Sequence, residues 1–111
     1  MFLNIRTDAF LLGMPAALDE TIPRIKLYEQ AGAAGIFVPC IVQENAINEV
    51  VHATTLPINV MCMPGLPDFD VLSSLGVKRI SMGGFFYNKI YAGVQALSKS
   101  LRSDNNFSTI L

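Results

Sequence analysis

Four short apolar runs, each followed by a helical pattern, constrain this sequence more than any other feature. The spacing predicts strands at Phe2–Thr7, Gly35–Pro39, Ile58–Met61 and Arg79–Met82. Each is a continuous apolar run rather than a clean alternation, as expected of a strand covered on both faces. Between and after them lie segments with 3–4 spacing. The first, about Asp19 to Ala31, places Leu18, Ile22, Ile25 and Tyr28 on one side, with Gly32 as a stop. Pro23 fits only in a first turn, so this helix is expected to start nearer Thr21. The second, about Gln43 to His52, turns Ala46, Ile47, Val50 and Val51 inward. The third is short: Asp68 caps it, Phe69, Leu72 and Leu75 face inward, and Gly76 ends it. The fourth, about Phe86 to Leu101, carries Ile90, Val94, Leu97 and Leu101 on one stripe.

Two joints share a form. Ala31-Gly32-Ala33-Ala34-Gly35-Ile36 and Leu75-Gly76-Val77-Lys78-Arg79-Ile80 both leave a helix through glycine and enter a strand. Alternating strands and helices imply a parallel sheet with right-handed crossovers. Four such βα units amount to half of a (β/α)8 TIM barrel, which takes about 250 residues in full. A complete four-stranded doubly wound sheet is the other parallel arrangement. The strand spacing and short loops favour the half-barrel, α/β in class, over residues 1–102, with residues 103–111 as a tail. Without closure, both outer strands are open edges.

Bulk properties exclude several classes of function. The 111 residues carry a net charge of −1, which offers no basic stripe for nucleic acid or an anionic membrane. Apolar residues make up 51% and charged ones 15%, so there is ample surface to bury and no case for disorder. So apolar a short chain is expected to keep an apolar patch for a partner. No apolar run approaches ~18 residues, and the start lacks a signal-peptide pattern, so a cytoplasmic location is expected. Cys40 and Cys62 then read as free thiols.

Ligands of parallel α/β folds bind at the carboxyl ends of the strands. That rule selects Arg6, Thr7 and Asp8 after the first strand, and Pro39 and Cys40 after the second. It selects Asn59, Met63, Pro64 and Gly65 at the third, and Ser81, Gly83 and Gly84 at the fourth. Arg6 has a planar fork suited to a carboxylate or phosphate, and equally suited to an ion pair with Asp8. Asn59 interrupts the apolar run between Ile58 and Val60, so its amide must serve a ligand or tie down a loop. Gly65, Gly83 and Gly84 are able to present backbone N–H groups to a phosphate, or simply to make tight turns. Cys40 has no evident base beside it, and His52 falls on the second helix as a packing or solvated residue. No paired-His or CxxC spacing for a metal occurs.

The run Asn4-Ile5-Arg6-Thr7-Asp8-Ala9-Phe10, the helix end Glu29-Gln30-Ala31-Gly32-Ala33 and the strand Gly35-Ile36-Phe37-Val38-Pro39 resemble the isocitrate lyase/phosphoenolpyruvate mutase family. So do Leu56-Pro57-Ile58-Asn59-Val60 and Leu75-Gly76-Val77-Lys78-Arg79-Ile80-Ser81. The resemblance runs from Asn4 to about Leu101 and is nearest the phosphonomutase-like branch. It implies strands five to eight of the barrel of an Mg²⁺-dependent lyase or isomerase. Such enzymes cleave or form a C–C or P–C bond in a small carboxylate or phosphonate, through an oxyanion held by metal and arginine. By resemblance Arg6 is the arginine that contacts substrate or oxyanion, and Asn59 lines the substrate pocket. The family's metal-binding aspartates belong to earlier strands, so the Mg²⁺ ligands are absent from this span. Cys40 stands where the lyases carry glutamate, so the resemblance does not extend to isocitrate or methylisocitrate lyase activity.

The leading expectation is an enzyme part that is inactive without its front half. It would be completed by that missing N-terminal half or held as a homo-oligomer, with the helix from Phe86 to Leu101 exchanged between subunits. Two alternatives stand beside it: an oligomerising half-barrel scaffold, and a small phosphate-ligand binder using Gly65, Gly83 and Gly84.

Overall fold

A computed structural model describes all 111 residues. The order of elements is β1 (Asn4–Arg6), α1 (Ala17–Gln30), β2 (Gly35–Val38), α2 (Glu44–His52), β3 (Ile58–Met61), α3 (Phe69–Leu75), β4 (Arg79–Ser81) and α4 (Phe85–Asp104). The strands form one sheet in the order β1-β2-β3-β4, and every pair is parallel. A doubly wound sheet reverses its strand order at a switch point. This sheet never reverses, as in one arc of a barrel.

The chain forms two compact units, Met1–Ser81 and Met82–Leu111. In the first, Ile5, Ile36 and Ile58 share one level of the sheet, and Val38, Val60 and Ile80 share a higher one. Strand side chains alternate between faces, so both rows project to the same side. Ile25 of α1, Ala46, Ile47 and Val50 of α2, and Leu72 of α3 join Ile36, Val38, Ile58 and Val60 in one buried cluster. Burying Val, Leu and Ile side chains there contributes about 1.5–3 kcal/mol each.

Local chemistry sets the helix ends. Asp68 Oδ1 accepts from the Val71 N–H at 3.1 Å, and Gly76 closes α3 at φ 94°, a left-handed cap open to glycine. Val51 Cγ1 would lie 3.0 Å from a Cβ at Gly76, a second reason for glycine. Glu29 at the end of α1 accepts from the backbone N–H and hydroxyl of Thr55, tying α1 to the loop before β3.

Three expectations need correction. α1 starts at Ala17, not near Thr21, and Pro23 lies inside it. The missing proline N–H costs one intrahelical bond, but Pro23 is exposed and the packing of Leu18, Ile25 and Tyr28 spans it. Phe69 is 68% exposed rather than inward, because it opens a two-turn helix whose buried side is taken by Leu72. β1 covers only Asn4–Arg6 rather than Phe2–Thr7, and it lies at the sheet edge.

The second unit consists of the Met82–Phe85 turn, α4 and the residues after it. The Phe85 N–H donates to the Met82 carbonyl at 3.1 Å, with Gly83 at φ 54°. No residue of α4 is buried: Ile90, Val94 and Leu97 are all exposed, and Tyr87 and Tyr91 stack at 4.3 Å between centroids. Asn105 ends the helix in the left-handed region. No helix of the chain is long and apolar enough to cross a membrane.

Candidate functional site

The face of the sheet turned away from α1–α3 is polar. Register aligns Arg6, Phe37, Asn59 and Arg79 in one row across all four strands. One level further along, Met61 and Ser81 pair. One level back, Asn4 faces Gly35. Two guanidinium groups therefore flank an aromatic ring and an amide, and the isoleucines and valines take the other side.

Arg6 side-chain exposure is 56%, and its Nη2 donates to Asp8 Oδ2 at 3.3 Å. Its Nε lies 2.7 Å from Asp8 Oδ1, close in charge but not aligned as a hydrogen bond. The ion pair with Asp8 is thus present, and the guanidinium still reaches solvent. Such an exposed pair contributes little to stability, about 0–1 kcal/mol. It is a weak tether that a ligand anion can displace.

Asn59 differs. It is 6% exposed, and its Oδ1 is buried with no hydrogen-bond partner. An unmet buried acceptor costs about 1–3 kcal/mol. On this face its register neighbours are Phe37, which donates nothing, and Arg79, whose guanidinium lies 4.7 Å over the Phe2 ring. Ser81, one level on, spends its hydroxyl on the Val60 carbonyl at 3.3 Å.

The glycines are turn formers. Met63-Pro64-Gly65-Leu66 closes with the Leu66 N–H donating to the Met63 carbonyl at 3.2 Å, Gly65 taking φ 86°. Proline followed by a positive-φ glycine is the type II pattern. Gly65 follows β3 in the same unit as Arg6 and Asn59, whereas Gly83 and Gly84 belong to the second unit. Cys40 and Cys62 are free and half-buried. His52 Nδ1 donates to the Asn48 carbonyl at 2.8 Å on the exposed side of α2, a local helix contact. No three His, Cys, Asp or Glu side chains gather in a group that could hold a cation. The carboxylate nearest the row, Asp8, is occupied by Arg6. The donor set of this chain therefore does not fit a divalent ion, and no step through one follows from it.

Sequence reading singled out Arg6 and Asn59 but missed Phe37 and Arg79. The signal for Arg79 was present: Arg79-Ile80-Ser81 alternates polar, apolar, polar, which marks a strand with one polar face.

Sequential parallel βα units in unreversed strand order, with this row of polar groups on the face turned away from α1–α3, are those of part of a (β/α)8 barrel. The model of a family described as phosphoenolpyruvate phosphomutase matches residues 1–102. Uncharacterized proteins from two strains of Mycobacterium tuberculosis are each 35% identical over 103 residues, covering 93% of this chain and 38% of theirs. The crystal structure of a protein assigned as a phosphonomutase from Burkholderia cenocepacia superposes with a TM-score of 0.80 at 36% identity, covering 89% of this chain and 43% of that one. A second from the same organism, assigned as a lyase/mutase, gives 0.79 at 33% identity, with 93% and 38% covered. The chain belongs to the phosphoenolpyruvate mutase family, and it spans only 38% to 43% of the length of these relatives.

Proposed function

We propose that this chain is the substrate-gripping half of a cytoplasmic, Mg²⁺-dependent lyase or phosphonomutase-like enzyme acting on a small carboxylate or phosphonate. Arg6 clamps the anionic group of the substrate, Asn59 fixes a neighbouring oxygen or hydroxyl, and the turn at Gly65 frames the mouth. The observation that carries this reading is the buried, unpartnered Asn59 Oδ1 in one row with Arg6. A costly unmet acceptor beside a half-free guanidinium suits a ligand better than it suits packing. The metal, which would stabilise the developing oxyanion, requires ligands from the four strands this span does not contain. On its own the span carries out no turnover.

The direct test has two arms. Purified chain with Mg²⁺ and phosphonopyruvate is expected to be inert, and turnover abolished by Arg6→Ala would overturn the incompleteness. In the second arm, residues 1–102 replace the matching part of the Burkholderia cenocepacia phosphonomutase-assigned protein. Arg6→Ala should then weaken phosphonopyruvate binding by about tenfold or more. Thermal stability should move little, because the ion pair is exposed. Binding indifferent to Arg6→Ala and Asn59→Ala would remove the pocket assignment.

A second reading, an oligomerising half-barrel without catalysis, draws on one observation: α4 leaves Ile90, Val94 and Leu97 exposed. Light scattering on the free chain separates the two. A stable homodimer that remains inert in the chimera favours the scaffold.

A further inference from the structure

Phe2 and Arg79 come from opposite edges of the sheet and meet over its middle. Phe2 precedes β1, and Arg79 opens β4. One atom of the Phe2 ring lies 2.8 Å from where a Cβ on Gly35 of β2 would stand. The Arg79 guanidinium reaches over that ring, 4.7 Å from its centroid. β3 runs between β2 and β4, so this stack crosses β3. The β3 residue beside Arg79 in the register is Asn59. Adjacent strands run about 4.8 Å apart, and side chains at paired positions project to the same face. A cover of this kind fits the burial of Asn59, which is 6% exposed on a face that no helix packs against.

Two groups here lack what their chemistry calls for. Arg79 is exposed and belongs to neither of the chain's ion pairs. Stacking engages only the flat face of its guanidinium, so the in-plane N–H fork is left for an oxyanion. Asn59 Oδ1 is buried and receives no donor. A ligand that satisfies both presents two oxygens to the fork and donates a proton to the amide oxygen. A carboxylate uses both its oxygens on the fork and has no proton to give. A phosphate or phosphonate monoanion has two P–O oxygens for the fork and a P–OH for Asn59.

We propose that Arg79 and Asn59, covered by Phe2, form a subsite for a phosphate or phosphonate monoanion at the start of β4. The subsite shares Asn59 with the pocket proposed above and rests on that reading at this one point. Arg79 and Phe2 stand outside it. Entry requires the Phe2 ring to move off Asn59, and that ring is 51% exposed and free to swing.

The test titrates the purified chain with two tetrahedral anions at about pH 5.5, followed by NMR shifts. Inorganic phosphate is then mostly singly charged and carries hydroxyls, whereas sulfate is doubly charged and carries none. Charge alone favours sulfate. The subsite favours phosphate, by about fivefold or more. Arg79→Gln, at an exposed position, should weaken phosphate by about tenfold. Asn59→Leu keeps a similar volume without the acceptor and should reverse the preference, leaving sulfate ahead. Circular dichroism checks both folds, and Arg79→Gln decides the matter if Asn59→Leu fails to fold. Phosphonoacetate then separates the two sources of such a group. If it binds more tightly than methylphosphonate, and Arg6→Ala removes the gain, the group is the far end of the pocket's substrate. Equal affinities make free phosphate the ligand. Sulfate bound as tightly as phosphate, or phosphate binding indifferent to Arg79→Gln, would overturn the subsite. Failure of the pocket assignment reads out on Arg6→Ala instead, so the two failures are distinguishable.

Discussion

Gly35→Ala probes the polar face of the sheet without touching the proposed ligand contacts. A Cβ at Gly35 would lie 2.8 and 2.9 Å from two atoms of the Phe2 ring and 3.1 Å from Asn4 Oδ1. The nearest obstacle is thus the end of a flexible side chain, and Phe2 must swing away. That ring is 51% exposed, so displacing it forfeits about half of the 1.5–3 kcal/mol that a buried phenylalanine contributes, roughly 1 kcal/mol. It also loses the contact with Arg79, worth about 0.5–1 kcal/mol at an exposed site. Against this, alanine in place of a strand glycine recovers about 0.5–1 kcal/mol of backbone entropy. The net expectation is a destabilisation of about 1 kcal/mol in the native background. In a Phe2→Ala background only Asn4 Oδ1 at 3.1 Å remains, a side-chain atom that need give by only a few tenths of an ångström, and the same substitution should stabilise by about 0.5–1 kcal/mol. Urea denaturation of the four chains of this double-mutant cycle measures both, with a coupling of about 1.5–2 kcal/mol. If Gly35→Ala costs more than ~2 kcal/mol in both backgrounds, the sheet itself resists the methyl group, and the account of Phe2 as the yielding neighbour is wrong.

Two further predictions follow from the core and the surface. Leu72→Ala removes a side chain that is 1% exposed in the buried cluster, and should cost about 2–5 kcal/mol by thermal or urea unfolding. Hydrogen bonds from Thr55, side chain first and then backbone, hold the Glu29 carboxyl below its ordinary range. A depressed folded pKa stabilises above the unfolded pKa, and that contribution fades as pH falls through the folded value. Glu29→Gln should therefore flatten the acid limb of the stability–pH curve, and an unchanged limb would show that Thr55 does not hold the carboxylate.

The fold was largely legible because Gly35–Val38 forms an apolar run, β1 and β4 keep an apolar residue between polar ones, and glycine marks the exits of α1 and α3. β3 falls at Ile58–Met61 as the run implies, and Gly76 ends α3 in the left-handed region. What periodicity could not supply was context. Phe69 belongs to the apolar pattern of α3, but a two-turn helix has room for only one deeply buried residue, Leu72. Pro23 contradicts an early helix start only if local propensity decides, and here packing does. At the site, Arg6 and Asn59 stood out as polar residues in apolar runs. Their alignment with Phe37 and Arg79 depends on the register between strands, which no single strand encodes.

That register carries a consequence for how the arc is completed. Arg6 has Asp8 as its counter-charge, whereas Arg79 has no ion-pair partner and rests on the ring of Phe2. Both lie on the face that becomes the interior when eight strands close. Desolvating an unpaired guanidinium costs several kcal/mol, so closure requires an anion near Arg79 or an outlet to water at the strand's amino end. A second copy of this arc would bring another unpaired Arg79 into the same layer, its Arg6 already matched by its own Asp8, and so add like charge. Four strands carrying carboxylates, with or without a metal and an anionic substrate, would neutralise it. Electrostatics within the row thus favours an anionic group beside Arg79 over a second unpaired guanidinium.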